Sequence, residues 1–308
     1  MNRHGLSGAF RCADWQLVSI RTCERHGIWL TSLPYEKFTL ENYDVARCID
    51  RHKTLLDEIR TNSVPSPSEA YLRGRLDGVR SGSWLDALPL HVVSRLCEML
   101  GSRIEFGPSV RAIGLTEDML HRAGGTGFAA IKDGPEALRR SLDSLRGTEV
   151  RKGGFQHAAD LGVLYYWLSA SRAARELRPI QQLVRRFIVE NYPLDPGRII
   201  LGRAIHEPKL FSLEHVRKRL KMRPERVVRL LRQARLHDTD LSRGISVETV
   251  SQLEAYIQQF ITTTEAASII GCHPNQLAQL QNAGLLIPRE MEEAVHRLHR
   301  HDIDAFLR

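Results

Sequence analysis

The sequence predicts a mainly α protein, and three observations carry that prediction. Apolar residues recur at i, i+3 and i+4 through most of the 308 residues, in stretches separated by Gly, Pro or Ser. Alternating apolar and polar runs are scarce, with only Trp15 to Ile20 and Ile199 to Leu201 fitting a strand. A pair of short helical patterns also repeats late in the chain, with Pro224 falling on Pro274. The predicted architecture is a multi-helix body with a small N-terminal hairpin and two tandem helix-turn-helix modules. Its boundaries fall at 1-34, 35-200, 201-243 and 244-308.

From the N-terminus, Trp15 to Ile20 leads into Cys23, two residues, His26 and Gly27. A Cys-x2-His turn places a thiolate and an imidazole together, which is half of a tetrahedral zinc site, and Gly27 lets the backbone fold under a metal. Leu40 to Arg60 carries helical apolar spacing at Val45, Ile49, Leu55, Leu56 and Ile59, and the following VPSPS reads as a linker and a boundary. Leu88 to Leu100, Thr116 to Ile131, Pro135 to Leu145, His157 to Ala170 and Ile180 to Glu190 complete the predicted helical body.

Charge singles out the next segment. Residues 203–235 hold eleven Lys or Arg against three Asp or Glu, and that surplus equals the formal net charge of +8 of the whole chain. A positive excess gathered in one helical pair is the footprint of a surface that meets phosphates. Ser212 caps a first helix with Leu213, Val216 and Leu220 inward. Pro224 opens a second with Val227, Leu230 and Leu231 inward. The second is the predicted recognition helix for double-stranded DNA. Lys218, Arg219, Arg223, Arg226, Arg229 and Arg232 are the phosphate clamps of the pair, and Gln233 and some of these arginines are available for bases.

The repeat aligns Val216 with Ala266, Leu220 with Ile270, Val227 with Leu277 and Leu230 with Leu280. Thr262 and Glu265 form a capping box, and Gly271 suits a left-handed turn where the first copy has Lys221. Between Thr262 and Leu286 there is no Lys or Arg, so Asn275, Gln276 and Gln279 are the base-reading candidates. A helix without phosphate contacts grips DNA poorly, so protein docking is an equal alternative for this copy. The amphipathic stretch from Val247 to Phe260 is predicted to connect the copies. The tail from Gly284 to Leu307 resembles the wing and closing helix of excisionase-like and MerR-like domains. His296, His299 and His301 lie close in sequence, but His299 and His301 cannot share a helix face.

Composition excludes other classes. A hydrophobic content of 42% suits a globular chain, and no apolar run approaches the roughly 20 residues of a membrane span. The polar N-terminus lacks a secretory core, which points to a cytoplasmic, nucleoid-associated protein. Five scattered cysteines do not form a disulfide framework. Gly124, Gly125 and Gly127 lack the Lys-Ser/Thr of a phosphate loop, Cys97 lies on an apolar face, and no carboxylate set for metal-dependent nuclease chemistry is visible. No catalytic centre is predicted.

The run Trp15, Cys23, His26, Gly27, Leu30, in W-x7-C-x2-H-G-x2-L spacing, resembles the zinc-binding segment of the TniQ family of transposon target-selection proteins. The helical stretches from Trp84, Gly154 and Tyr192 resemble the body that follows it, so the likeness spans about residues 15 to 240. It implies a zinc ion held by Cys23, His26, Cys12 and His4. The family's upstream Cys-x2-Cys pair is missing, and only Cys12 and His4 precede, which implies that the chain lacks the family's N-terminal portion. It further implies a role in target selection, with an AAA+ ATPase and a transposase as partners, or an RNA-guided effector complex. A protein-interaction adaptor and a transcription regulator remain as alternatives.

Overall fold

The computed structural model describes residues 12–33, 44–58, 62–147, 156–170, 175–236, 241–286 and 297–308. The protein is mainly helical with short strands. It divides into two compact units, Met1–Ile188 with Ile199–Arg203, and Val189–Arg198 with Ala204–Arg308.

The first unit begins with a short 3-10 turn, Ala13–Gln16, where the sequence suggests a strand. A hairpin follows, β1 (Thr22–Cys23) antiparallel to β2 (Ile28–Trp29). The single helix expected over 40–60 is, in its described part, two pieces, α1 (Val45–Arg51) and α2 (Lys53–Glu58), broken at His52. The expected linker at VPSPS is instead a helix start. Ser66 and Glu69 close a capping box and Pro67 occupies the first turn of α3 (Pro67–Leu76). Proline there signals helix entry, because the first-turn amide it lacks would have no partner anyway.

The body is α4 (Leu90–Phe106), α5 (Glu117–Ile131), α6 (Pro135–Ser144), α7 (Gln156–Ala170) and α8 (Arg178–Asn191), close to the bounds the apolar spacing predicts. Helices α4 and α5 cross at backbone contact. A Cβ on Gly101 would lie 1.8 Å from the Ala123 carbonyl oxygen, and one on Gly127 2.0 Å from that of Cys97. The glycines of α5 thus serve helix packing, and Cys97 is a core residue whose thiol burial pushes far up.

A buried polar cluster fastens the hairpin to α3, α4 and α5. The Arg21 guanidinium meets Glu98 at 2.9 Å and Glu117 at 2.5 Å, while its backbone N–H donates to Glu69 at 2.7 Å. Thr22 Oγ1 donates to the other Glu69 oxygen, and His121 Nδ1 lies 3.1 Å from Glu69. Burial alone pushes the Glu69 carboxyl up, but the hydrogen bonds from His121, Thr22 and Arg21 outweigh it and hold it below its usual range. Arg73 donates to the Thr22 carbonyl and to Asp14, tying the turn before the hairpin to α3. The N-terminal hairpin is therefore an integral layer of this unit.

Short strands β3 (Ile199–Ile200) and β4 (Arg203–Ala204) lie where the chain passes to the second unit. That unit holds β5 (Leu210–Phe211), α9 (Leu213–Arg219), α10 (Pro224–Gln233), β6 (Ile245–Ser246) and α11 (Val247–Gln258). The same order then recurs as β7 (Phe260–Thr262), α12 (Thr263–Ile270), α13 (Pro274–Asn282), β8 (Arg297–His299) and α14 (Arg300–Phe306). In each repeat the outer strands pair antiparallel, Phe211 with Ile245 and Ile261 with Leu298. The helix the sequence presents as a connector, α11, packs Val250 and Leu253 against Val216, Val227 and Leu231, and so closes the first repeat. Its partners are distant in sequence, which is why local periodicity could not assign it.

Candidate nucleic-acid interface

The first repeat builds its surface from one amphipathic helix. In α10 the buried residues are Val227, Leu230 and Leu231. At about 100° per residue they cover one side, and Arg229 and Arg232 project from the opposite side, both exposed. Arg226 and Gln233 lie on the flank and are half-buried. Gln233 Oε1 is shut from solvent with no hydrogen-bond partner among the described residues.

The remaining predicted clamps behave differently. Arg219 makes a two-pronged pair with Glu254 of α11, at 2.7 and 2.9 Å. Lys218 pairs with Glu214 at 3.2 Å, and Arg217 donates to the same carboxylate. Hydrogen bonds, first from Arg217 and then from Lys218, hold the Glu214 carboxyl below its usual range. These cations of α9 are locally neutralised. By contrast Lys221, Arg223, Arg232 and Arg235 are exposed and form no ion pair among the described residues.

The turn between the helices is closed identically in both repeats. Met222 N–H donates to the Arg217 carbonyl and Cys272 N–H to that of Ala267, each at 2.9 Å. That closure requires a left-handed residue, which is Gly271 (φ 78°) in the second repeat and Lys221 (φ 51°) in the first. After the next helix the same holds, with Gly284 at φ 73° and Arg235 at φ 53°. A side chain in this region costs roughly 1–2 kcal/mol per residue. The N-cap of the second helix differs in the same sense. His273 Nδ1 accepts from the Asn275 N–H, whereas Arg223 offers no side-chain cap, a loss of about 1 kcal/mol. Sequence reasoning aligns Lys221 with Gly271 but does not select Lys221 or Arg235 as site residues, since propensity argues against a cation in a left-handed turn.

In the second repeat Asn275, Gln276 and Gln279 are all exposed on α13. Gln276 Oε1 is occupied by the His273 N–H at 2.9 Å, which leaves Asn275 and Gln279 as the freer amides. Exposed Ile269 and Leu285 accompany them. His299 caps α14 through Nδ1 to the His301 N–H, and its Nε2 lies 3.3 Å from Gln259 Oε1, so both ring nitrogens are engaged. His296 lies outside the described residues.

At the hairpin, Cys23 Sγ sits 3.2 Å from His26 Nδ1, across a turn that Gly27 takes at φ 60°. Burial, then Asp14 and then Cys23, raise the Cys12 thiol above its ordinary value. Among the described residues no three His, Cys, Asp or Glu side chains gather to share a metal ion, and His4 lies outside them. Cys23 and His26 are thus two adjacent side chains of ligand type without a third beside them among the described residues. No family model, curated protein or solved structure matches this chain. No helix among the described residues is long and apolar enough to cross a membrane.

Proposed function

We propose that this protein is a non-catalytic DNA-binding accessory factor of transposition, in which α9 and α10 form a helix-turn-helix and α10 lies against duplex DNA. The observation that carries the DNA reading is the outer face of α10, where Arg229 and Arg232 stand opposite a buried Val227, Leu230 and Leu231 seam, in the segment that holds the chain's whole charge surplus. Arginines on that face neutralise phosphates and can fork to guanine edges, and the buried seam fixes their spacing. The assignment to transposition rests on the W-x7-C-x2-H-G-x2-L run, with an AAA+ ATPase and a transposase or an RNA-guided effector as the partners that resemblance implies. A zinc ion at the hairpin would take Cys23 and His26 as two of its ligands and add rigidity to that turn.

A salt titration tests the DNA reading. The logarithm of affinity for a mixed-sequence duplex should fall steeply with the logarithm of salt, by about 0.9 per phosphate neutralised. Replacing Arg226 and Arg229 by Ala should flatten the slope by about one unit for each phosphate that is no longer neutralised. Binding that ignores salt, or a slope untouched by both changes, removes α10 from the interface. Metal analysis of the purified protein tests the zinc ion.

The second repeat favours a protein-docking role. It has no Lys or Arg from Thr262 to Leu286 and exposes Ile269 and Leu285 as well as Asn275 and Gln279. One chain would then read DNA with its first repeat and recruit a partner with its second. If the full chain shows no DNA binding at all, the adaptor reading takes over for both repeats.

A further inference from the structure

Three positions around α10 break local rules, and all three break them in favour of a cation. Lys221 fills the left-handed turn before the helix, where the second repeat has Gly271. Arg223 fills its N-cap, where the second repeat has the capping His273. Arg235 fills the left-handed position after it, where the second repeat has Gly284. The surrounding geometry is shared, since Ala234 and Ala283 cap the two helices alike and Leu236 and Leu285 donate to Leu231 and Leu280, each at 3.0 Å. The backbone thus needs glycine and a capping side chain equally in both repeats, and only one repeat supplies them. Local conflicts of this kind collect where function outweighs stability. All three cations are exposed and free of ion pairs among the described residues, whereas Lys218 and Arg219 are held by Glu214 and Glu254.

We propose that Lys221, Arg223 and Arg235 are phosphate-contacting residues that bracket α10 at both ends, and that Lys218 and Arg219 serve the fold instead. This inference rests on the DNA reading of α10 and extends its contact surface to both ends of the helix. With Arg229 and Arg232 between them in sequence, the three extend the exposed positive charge past both ends of the helix. Charges at the two ends fix the register of the helix along the backbone of the duplex, since phosphate contacts orient a protein without reading sequence.

The test uses the full chain and a mixed-sequence duplex, with the variants Lys221→Gly, Arg223→Ser and Arg235→Gly singly and together. Each restores the residue the backbone prefers, so the triple variant should melt higher by about 5 °C or more. Its salt slope should nevertheless shrink by about 0.9 per position, and its affinity at about 0.1 M salt should drop by roughly an order of magnitude per position. Stability up with binding down is a combination that a purely structural role does not produce. Lys221→Asn, which tolerates the left-handed conformation without the charge, should weaken binding like the glycine variant. Lys218→Ala and Arg219→Ala should leave the slope unchanged.

A triple variant that melts higher with an unchanged slope overturns the inference while leaving α10 as the DNA-reading helix. A slope that collapses on Lys218→Ala or Arg219→Ala instead places the phosphate grip on α9 and also overturns it. A wild-type chain whose binding ignores salt defeats the parent reading, and this inference with it.

Discussion

The two repeats of the second unit share strand order, helix order and turn closure, yet among the described residues their buried clusters differ in size. The first gathers Phe211, Val216, Val227, Leu230, Leu231, Ile245, Val250 and Leu253 into one buried cluster, with a twelve-residue closing helix. The second gathers Ala266, Ala267, Leu277, Leu286, Leu298 and Ile303, with a closing helix of seven residues. Val216 in place of Ala266 alone buries about two more methylene equivalents, worth roughly 1.5 kcal/mol. The larger core is thus the repeat that carries the strained cations, and the smaller one is the repeat with ideal glycines and caps. Stability from the interior offsets what the surface of the first repeat gives up, and among the described residues the second repeat has the smaller buried cluster.

Core truncation should break this balance most severely. Leu231→Ala removes a side chain from the cluster that all three helices of the first repeat share, and should cost about 2–5 kcal/mol in thermal or urea unfolding and abolish DNA binding. Leu277→Ala in the second repeat should cost a similar amount locally, but it should leave the salt slope of DNA binding intact. If Leu277→Ala flattens the slope as much as Leu231→Ala does, the two repeats read DNA together and their division of labour is wrong.

Moving the strained residues across should sharpen the comparison. Gly271→Lys places a side chain in the left-handed turn of the repeat with the smaller core, where it should cost roughly 1–2 kcal/mol with nothing to compensate. Paired with His273→Arg it removes a capping box as well, and stability should fall further by about 1 kcal/mol. Unchanged melting of the double variant would show that the turn relaxes around a side chain, and the strain argument for Lys221 would fail too.

The parts of this fold visible in the sequence are those set by near neighbours. Val227, Leu230 and Leu231 announce α10 by their spacing, and Pro224 and Pro274 announce the repeat, because helix entry and helix face are local properties. The hairpin's attachment is invisible there. Arg21 meets Glu69, Glu98 and Glu117, which lie on three different helices, and no local pattern brings such groups together. The repeats' closing strands and helices are only half legible for the same reason, since Phe211 finds Ile245 across the whole helix pair. At the candidate site, the exposed side of α10 is legible from charge and periodicity. The neutralisation of Arg219 by Glu254, thirty-five residues away, is not.

That pair supplies the smallest effect. Arg219 and Glu254 are both partly exposed, at 42% and 29%, so solvent screens their attraction and each long side chain loses freedom in forming it. Arg219→Ala should therefore lower stability by only about 0.2–1 kcal/mol, and Glu254→Ala by a similar amount. The two differ in what they do to DNA binding. Removing Glu254 releases the Arg219 guanidinium to the solvent beside α10, and the salt slope should steepen slightly, while removing Arg219 leaves it level. A double variant indistinguishable from either single change in melting temperature, together with a slope that rises only for Glu254→Ala, is the signature of a cation restrained by its neighbour. If Glu254→Ala leaves the slope level, Arg219 points away from the duplex in both states, and the first repeat meets DNA through α10 and its flanks alone.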